Sequence, residues 1–405
     1  MIEHKTEIDS LFFELPFEEI VSFCIKLVKN NLSVTPAVVT TLRKAYPTIS
    51  VFQQQIILDV VTGTLRGKRL GKFPDGWLVT SILAEQATHQ AISEYHGSMF
   101  KGVNTVLEIC TGSANDTIAI SKYAKSVHTF ENNYLHYILA QFNCNKIGIN
   151  NVHFHFGDIE TSDISSISFS GLWADPSRRD MQGQRKFTVS GYSPSLENLL
   201  DISKKCDIAG IKVSPSIYHP IETNWKRDFV GFEKECKEEI LWKKSDTSHH
   251  CLTLIEPLTQ WYFNEDSSIS DKVITELQEG MYFYEPHSIV IRSKQTKKYY
   301  SEYGITVIDK ESVYGVSNNL VQSEMISTFR ILAVLPYKTK EIQKRIDAFQ
   351  WNERTEVKKR NFPYLPEEIQ KNIRFILDSQ DFGVLICTRH NGKLTAIFAR
   401  RVAEL

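Results

Sequence analysis

Four acidic residues lie at the ends of short apolar segments of the sequence. If these segments are neighbouring strands, the four side chains would come together and could bind a ligand. They are Glu108, Glu131, Asp158 and Asp175. After the first, a small-residue turn around Gly112 leads into a predicted helix, whose unpaired backbone N–H groups would face an anionic or polar ligand. A carboxylate roughly twenty residues after such a turn, as Glu131 is, can accept hydrogen bonds from a ribose diol. The sequence therefore predicts a nucleotide-like ligand.

The elements that would position these residues alternate between strand and helix from residue 105 to about 263. After a first strand at 105–109, strands are predicted at 126–131, 151–158, 171–180, 208–213, 238–243 and 251–255, and helices at 117–124, 133–147, 195–206 and around 227–234. This alternation is typical of a mostly parallel sheet, with ligands beyond the carboxyl ends of its strands. Upstream, apolar spacing predicts helices at 17–29, 36–45, 51–65 and 79–95.

The segment LEICTGSAND and the three later strand ends resemble the class I S-adenosylmethionine-dependent methyltransferases, over about 105–258. The resemblance implies that the first acid and the glycine turn hold the methionine part of S-adenosylmethionine, that Glu131 holds its ribose, and that Asp158 holds the adenine amine. The implied cofactor-binding set is Glu108, Thr111, Gly112, Ala114, Asp116, Glu131, Asn132, Gly157, Asp158 and Asp175. Ala114 replaces the second glycine of the family pattern. A nicotinamide-dependent enzyme is the structural rival, but its G-x-G-x-x-G pattern is absent.

Residues 174–180, ADPSRRD, are similar to a bacterial subgroup of RNA-type methyltransferases within that class. In amino-group methyltransferases an Asp or Asn before proline orients the acceptor nitrogen, so the resemblance implies a catalytic set of Asp175, Pro176, Ser177 and Arg178. Here Ser177 and Arg178 replace the usual proline and aromatic residue. If another aromatic stacks on a flipped base, Tyr192 or Tyr218 is favoured by position. Arg178, Arg179, Lys212, Ser214, Glu85 and Gln86 complete the implied substrate-binding set.

The same resemblance implies how the chain is divided. An α/β fold is expected, with a Rossmann-like methyltransferase core on a mostly parallel seven-stranded sheet. The expected domains are a helical N-terminal domain at 1–100, the core at 101–265, a linker with small strands at 266–334, and a THUMP-like α+β C-terminal domain at 335–405. The segments of the last region that match the THUMP-like pattern best are KKRNFP at 358–363 and AIFARRV at 396–402.

The amino-acid composition limits which class of protein this chain can belong to. Among 405 residues, 42% are hydrophobic and 23% are charged, which is ordinary for a soluble chain. The polar N-terminus and the lack of any apolar run near the roughly eighteen residues of a membrane span predict a cytoplasmic protein. Seven cysteines without a C-x-x-C pair fit a reducing compartment. His153 and His155 share one strand face, but no third ligand has an obvious place, so no metal is predicted.

Local charge favours a phosphate-bearing partner, although the net charge is only −1. Four cations lie within residues 66–72, and from residue 336 onward there are 14 Lys/Arg against 9 Asp/Glu. Solvated surface is the alternative interpretation of both clusters. The overall prediction is an S-adenosylmethionine-dependent methyltransferase that acts on RNA by direct in-line transfer. The alternatives are a methyltransferase of protein or small molecules, and a non-catalytic RNA-binding module with the same fold.

Overall fold

The computed structural model describes residues 4–28, 34–178, 191–217, 225–244, 249–264 and 272–402. The chain divides into two compact units. Unit 1 comprises Met1–Asp228 and Glu238–Ser248, and unit 2 comprises Phe229–Lys237 and His249–Leu405. The finer division into four segments stays a prediction.

Unit 1 begins with six helices that cover the first hundred residues: α1 (Lys5–Phe13), α2 (Phe17–Val28), α3 (Pro36–Ala45), α4 (Val51–Arg69), α5 (Ser81–Gln86) and α6 (Gln90–Met99). Pro36 occupies the first position of α3, and Ser50 and Gln53 form a capping box that starts α4. None of the described helices is both long and apolar enough to cross a membrane.

The single helix predicted at 79–95 is wrong, because two helices and a break occupy that region. Ala87 leaves the helical conformation (φ −53°, ψ 139°), and α6 starts only after the His89 side chain accepts a hydrogen bond from Ala91 N–H. The intervening Thr88 is buried. This break turns Thr88 toward the core of unit 1, where its hydroxyl contacts charged side chains that are described below.

The remaining elements of unit 1 are β1 (Thr105–Ile109), α7 (Asn115–Ser121), β2 (Ser126–Glu131), α8 (Tyr134–Lys146), β3 (Val152–Phe156), β4 (Gly171–Ala174), α9 (Leu196–Ser203), β5 (Ile208–Val213), and parts of β6 (Trp225–Phe232) and β7 (Glu235–Lys243). These strands lie in a nine-stranded sheet, two strands more than the seven expected, and their order within it is β3-β2-β1-β4-β5-β7-β6. The first five strands are parallel, and β7 is antiparallel to β5. The expected α/β fold with a mostly parallel sheet is confirmed.

The helix predicted around 227–234 is wrong, since β6 covers most of that stretch. Its sequence WKRDFVGF has aromatic and β-branched residues, which favour strands, and nearly every position is buried. Continuous burial removes the alternating pattern of a half-exposed strand, and short apolar runs of this kind are ambiguous in sequence.

Parallel pairing brings the acidic residues to one edge of the sheet. Ile109 at the end of β1 is paired with Phe130 in β2 and with Ala174 in β4, and Ala174 is paired with Ile211 in β5. Residues that directly follow these positions therefore emerge together at the carboxyl edge.

The α6 helix lies unusually close to α7 at Gly97. A Cβ atom built on Gly97 would lie 2.4 Å from the backbone carbonyl atoms of Ala119. Real side chains do not tolerate such a distance, so only glycine permits this approach. The contact sets His96, the neighbour of Gly97, against the start of α7.

We predict that Gly97→Ala lowers the free energy of unfolding by about 2 kcal/mol or more, although alanine is ordinarily the better helix former. The reason is that α6 must move away from α7. Urea unfolding followed by fluorescence measures the change. Ser98→Ala, on the next and more exposed position of α6, is the control and should change the stability by less than about 0.5 kcal/mol. Equal stability of the two variants would contradict the close packing.

Unit 2 contains β8 (His250–Ile255), β9 (Thr259–Phe263), β10 (Tyr282–Pro286), α10 (Ser288–Arg292), α11 (Thr296–Glu302), β11 (Thr306–Val307), β12 (Gly315–Ser317), β13 (Ile326–Pro336), α12 (Thr339–Phe349), β14 (Glu356–Lys359), α13 (Pro366–Lys371), β15 (Val384–His390) and β16 (Lys393–Arg401). Seven of its strands form a sheet in the order β11-β12-β10-β13-β16-β15-β14. Strands from both sides of the predicted boundary at 335 share this sheet, and β13 itself crosses the boundary.

Candidate active site

A small cleft of about 20 Å³ opens at the carboxyl ends of β1, β2 and β3. Its lining is Ile109, Cys110, Phe130, Glu131, Asn132, Gly157, Asp158, Ile159 and Pro194. Four of the predicted cofactor residues are in this set, namely Glu131, Asn132, Gly157 and Asp158. The structure therefore brings together the part of the predicted site that the resemblance assigns to ribose and adenine.

Glu131 fixes the glycine turn from the other side of the cleft. Its Oε2 accepts a hydrogen bond from Gly112 N–H (2.9 Å), and its Oε1 accepts one from Asn133 N–H (2.8 Å). A carboxylate has about four acceptor sites, so each oxygen retains capacity for a ligand hydroxyl. Asp158 is exposed, and its Oδ1 accepts from Glu160 N–H (3.0 Å). Both acids are held in place without being saturated.

The turn after β1 has an unusual backbone. Cys110, Gly112 and Ala114 have φ values of 70°, 54° and 66°, in the left-handed region that non-glycine residues rarely adopt. Ala114, at the position where the family has glycine, is buried and directly precedes α7. A Cβ atom on Gly112 would meet nothing closer than 3.9 Å, so space is open beside the turn. Thr111 is anchored by a hydroxyl contact to Thr129 (2.5 Å).

Glu108 lies beneath this turn and is almost wholly buried. Burial raises the pKa of Glu108 to about 8. Its Oε2 has no hydrogen-bond partner among the residues that the structure describes. A buried polar atom without a partner is costly, and a ligand donor would satisfy it. The site thus fits a cofactor that carries an amino group, a ribose and an adenine.

We predict that stability falls between about pH 4.5 and pH 8 because of Glu108. The unfolded chain ionises at the lower value while the folded protein keeps its proton, so the unfolded state binds fewer protons in this window. Glu108→Gln should flatten the slope of unfolding free energy against pH by up to about 1.4 kcal/mol per pH unit. Denaturant unfolding at several pH values measures it.

Glu94→Gln is the matched control for this slope. Burial alone would raise the pKa of Glu94, but hydrogen bonds from Lys122 and Tyr123 lower it overall, so Glu94 does not titrate in that window. A slope that stays the same in Glu108→Gln would show that Glu108 is ionised in the folded protein at neutral pH.

Asp175 and Pro176 follow β4 at the same edge. The Asp175 side chain is 34% exposed, and its Oδ2 accepts from Lys212 Nζ at 2.9 Å. Burial raises the pKa of Asp175, and the neighbouring Lys212 ammonium opposes that rise. Ser177 is exposed and forms a backbone bridge with Ser193, and Arg178 is half-buried. Arg179 lies outside the described residues.

The proposed stacking role of Tyr192 does not fit the structure. Its ring is buried, and its hydroxyl accepts a hydrogen bond from Ser214 N–H (2.9 Å). Tyr192 therefore supports the backbone after β5, where Ser214 itself is buried. Tyr218, the other aromatic considered, lies outside the described residues.

Lys212 belongs to a closed ring of side chains that the sequence did not reveal as a whole. Lys212 Nζ contacts Glu238 Oε2 (3.2 Å) and Thr88 Oγ1 (3.1 Å). Thr88 Oγ1 also contacts Asp116 Oδ2 (3.3 Å). His96 closes the ring, since its Nδ1 lies 2.9 Å from Asp116 Oδ1 and its Nε2 lies 2.5 Å from Glu238 Oε1. The predicted residues Asp116, Asp175 and Lys212 are thus brought together.

His96 and Glu238 are the residues that sequence reasoning missed. His96 is fully buried on α6, and Glu238 is buried on β7. Glu238 had no local signal in the sequence, because it stands beside Glu239 among other charged residues of β7, ECKEEILWK. His96 contacts Asp116, which is 20 residues away in the sequence, and Glu238, which is 142 residues away, so no local motif joins them.

The other predicted substrate residues lie at the end of α5. Glu85 is exposed and pairs with Arg66 (3.4 Å), while Lys72 Nζ donates to the backbone oxygens of Ala84 and Glu85. Gln86 is exposed. Two cations of the 66–72 cluster therefore hold α5 in place, and Lys68 pairs with Asp75 (3.2 Å).

His153 and His155 lie beside His128 on neighbouring strands. His128 Nδ1 is 3.0 Å from His155 Nε2, and the rings of His128 and His153 are stacked at 4.6 Å. Within the described part of the chain, no group of three or more His, Cys, Asp or Glu side chains is arranged to hold a metal ion.

Comparison with known proteins finds a family match within unit 2 and a structural match that covers residues of both units. Residues 326–401 match the family model described as THUMP domain-like. Over 95% of its length, the chain superposes on 99% of a crystal structure described as a "putative methyltransferase" from Porphyromonas gingivalis W83, with a TM-score of 0.77 and 17% identity. The chain has the fold of that protein. No curated protein matches the sequence.

Two further solved structures superpose only loosely. A tRNA (m1A58) methyltransferase from Aquifex aeolicus has a TM-score of 0.28 at 17% identity, with coverage of 39% of this chain and 69% of that one. A dimethyladenosine transferase from Plasmodium falciparum has a TM-score of 0.24 at 20% identity, with coverage of 30% and 40%. Such values carry no argument about the activity of this chain. The expected fold and the THUMP-like C-terminal region are confirmed.

Proposed function

We propose that this protein is a methyltransferase that uses S-adenosylmethionine and methylates an amino group or ring nitrogen of an RNA base. The observation that carries the proposal is the Asp175 carboxylate, which lies at the same sheet edge as the cleft lined by Glu131 and Asp158. A methyl transfer requires that the site of the methyl donor and the acid that orients the acceptor lie close together, as they would at one edge of the sheet.

Three groups of the chain would hold the cofactor. Glu108 and the turn around Gly112 would take the methionine part, because Glu108 Oε2 is buried without a partner among the described residues. Glu131 would accept from the ribose hydroxyls, and Asp158 from the adenine amine. The bound cofactor supplies a methyl group on a positively charged sulfur. The cleft that receives it is framed by backbone already fixed by hydrogen bonds.

Asp175 would orient the acceptor. Lys212 occupies Oδ2, and Oδ1 has no hydrogen-bond partner among the residues that the structure describes. An N–H of the acceptor donated to Oδ1 would turn the nitrogen lone pair toward the methyl group. Positioning of this kind contributes much of the rate in transfers that need no covalent enzyme intermediate.

RNA is the favoured acceptor because residues 326–401 are THUMP-like and the C-terminal region is basic. The contacts there restrict which cations are available to phosphate. Lys358 pairs with Glu285 (2.8 Å), Arg400 with Asp381 (2.8 Å) and Arg401 with Glu356 (3.1 Å). The Lys358 side chain is only 20% exposed in its pair, whereas Arg400 and Arg401 stay exposed in theirs. Pairing therefore limits the phosphate contacts of the segment KKRNFP more than those of AIFARRV.

A different surface of unit 2 suits a nucleic-acid strand better. Tyr364 is 47% exposed, and its ring lies 5.9 Å from Phe362 and 6.0 Å from Tyr337. Lys338 follows Tyr337 directly, Lys359 precedes Phe362 by three residues, and both lysines are exposed. An exposed aromatic ring near cations is the combination with which proteins stack bases and attract phosphates.

The first prediction for the function concerns cofactor binding. The protein should bind S-adenosylhomocysteine with a dissociation constant in the micromolar range, and Asp158→Ala should weaken it at least about tenfold, because one charge-assisted hydrogen bond is lost. Isothermal titration calorimetry measures both. Asp163→Asn, an exposed acid five residues further on, is the control and should bind as the wild type does. Absence of binding by the wild-type protein would refute the proposal.

The second prediction concerns transfer. With tritiated S-adenosylmethionine and total cellular RNA, the wild type should label RNA in a form that ribonuclease releases. Asp175→Ala should transfer at least about a hundredfold more slowly while S-adenosylhomocysteine still binds, because orientation of the acceptor is lost. Asp175→Asn, which keeps an acceptor oxygen, should retain more activity than Asp175→Ala.

The triple variant Lys338→Gln/Lys359→Gln/Tyr364→Ala identifies the acceptor class. For an RNA substrate it should raise KM for RNA and reduce its salt dependence, whereas Lys344→Gln, whose lysine pairs with Glu341, should not. Label in protein or in small molecules instead would favour those acceptors. Binding of RNA and cofactor without any label would favour the non-catalytic module.

A further inference from the structure

We propose that His96 is a positioning residue for the Asp175 carboxylate, acting through Glu238 and Lys212 without touching cofactor or acceptor. The inference deepens the proposed function, because it rests on Asp175 as the residue that receives the acceptor. It concerns the ring of Thr88, His96, Asp116, Lys212 and Glu238 described above.

The geometry of His96 requires a cation. Its two ring nitrogens face one carboxylate oxygen each, Asp116 Oδ1 at 2.9 Å and Glu238 Oε1 at 2.5 Å. A neutral imidazole carries a single N–H, so one nitrogen would oppose a carboxylate lone pair with its own. Only the doubly protonated ring donates to both. The pKa agrees, because burial lowers it but the carboxylates of Glu238 and Asp116 outweigh burial and raise it to about 9.

His96 is also fixed sterically. It is wholly buried, and its ring lies 4.4 Å from that of Trp173 on β4, two residues before Asp175. Gly97 holds the same turn of α6 against α7, as described above. The imidazolium therefore cannot move toward solvent, and its charge stays within the ring.

Removal of the His96 charge would change which carboxylates the Lys212 ammonium contacts. The contacts described above join three carboxylates, those of Asp116, Asp175 and Glu238, to two cations, His96 and Lys212. Without His96, Lys212 is the cation of these contacts that remains beside the three acids. Buried carboxylates without compensation are costly, so Lys212 would be drawn toward Glu238 and Asp116 and away from Asp175.

Groups on several described elements act electrostatically on Asp175. Besides Lys212, they include Glu108, Cys110, Asp116, Tyr192 and Glu238. Of these, only Glu238 and Asp116 contact His96. A change at His96 therefore reaches Asp175 through those two acids and Lys212.

The test needs no substrate in its first arm. Carbon-13 at Cγ of aspartate reports the titration of Asp175 by NMR, with the signal assigned by its loss in Asp175→Asn. His96→Gln should raise the pKa of Asp175 by at least about 0.5 unit, because a nearby cation is lost. Glu238→Gln should lower it, because a nearby anion is lost. Opposite shifts cannot come from general loosening of the fold.

Tyr95→Phe is the control on the same helix. Tyr95 precedes His96, and its hydroxyl contacts Asp228 Oδ2 (2.5 Å) outside the ring. This variant should leave the titration of Asp175 and the rate of transfer unchanged. If His96→Gln does not fold, Glu238→Gln carries the test, because an unchanged Asp175 pKa in that variant alone would overturn the inference.

The second arm measures methyl transfer. His96→Gln should lower kcat at least about tenfold with binding of S-adenosylhomocysteine within about threefold of wild type. An active wild type together with an unaffected His96→Gln would overturn the inference and leave the proposed function standing. A wild type that transfers no methyl to any acceptor, combined with the opposite NMR shifts, would refute the function while the positioning of Asp175 by His96 stands.

Discussion

One buried ammonium group, that of Lys212, constrains much of unit 1. Its side chain is only 14% exposed, and it contacts an acid after β4 and another on β7. Withdrawing each such charge from water costs several kcal/mol unless its partners are well placed. Three strands must therefore keep their relative register for the charges to be satisfied. The same requirement brings Asp175 to a defined place at the sheet edge, so the stability of the core and the geometry of the site depend on one interaction.

The part of the candidate site around the cleft could be predicted largely from the sequence, because local patterns determine where its residues lie. A turn with Gly112 after an apolar strand, and acids at the ends of the next strands, are each local features. Parallel pairing then brings the strand ends together without further information, as Glu131 and Asp158 at one cleft illustrate. The predicted helices 36–45 and 51–65 likewise have local causes, Pro36 at the first position of one and the Ser50 cap of the other.

The charged cluster around Asp175 could not be predicted in the same way. His96 and Glu238 belong to no motif, and they meet Thr88 only because α6 approaches α7 at Gly97 and because a helix breaks at Ala87. β6 was mistaken for a helix because continuous burial erased its alternation. For the basic segments near the C-terminus, the sequence likewise shows the cations Lys358 and Arg401 but not their partners Glu285 and Glu356.

The glycine turn above Glu108 and the cluster around Asp175 differ in electrostatic character. Glu108 is buried with a raised pKa and keeps its proton at neutral pH, so the turn that would hold the donor adds no full negative charge there. Burial and the neighbouring acids raise the pKa of Asp175, while the Lys212 ammonium opposes that rise. A carboxylate that its neighbours make more basic is a stronger hydrogen-bond acceptor for an acceptor N–H. The ring that contains His96 sets this balance, because it determines how much of Lys212 is available to Asp175.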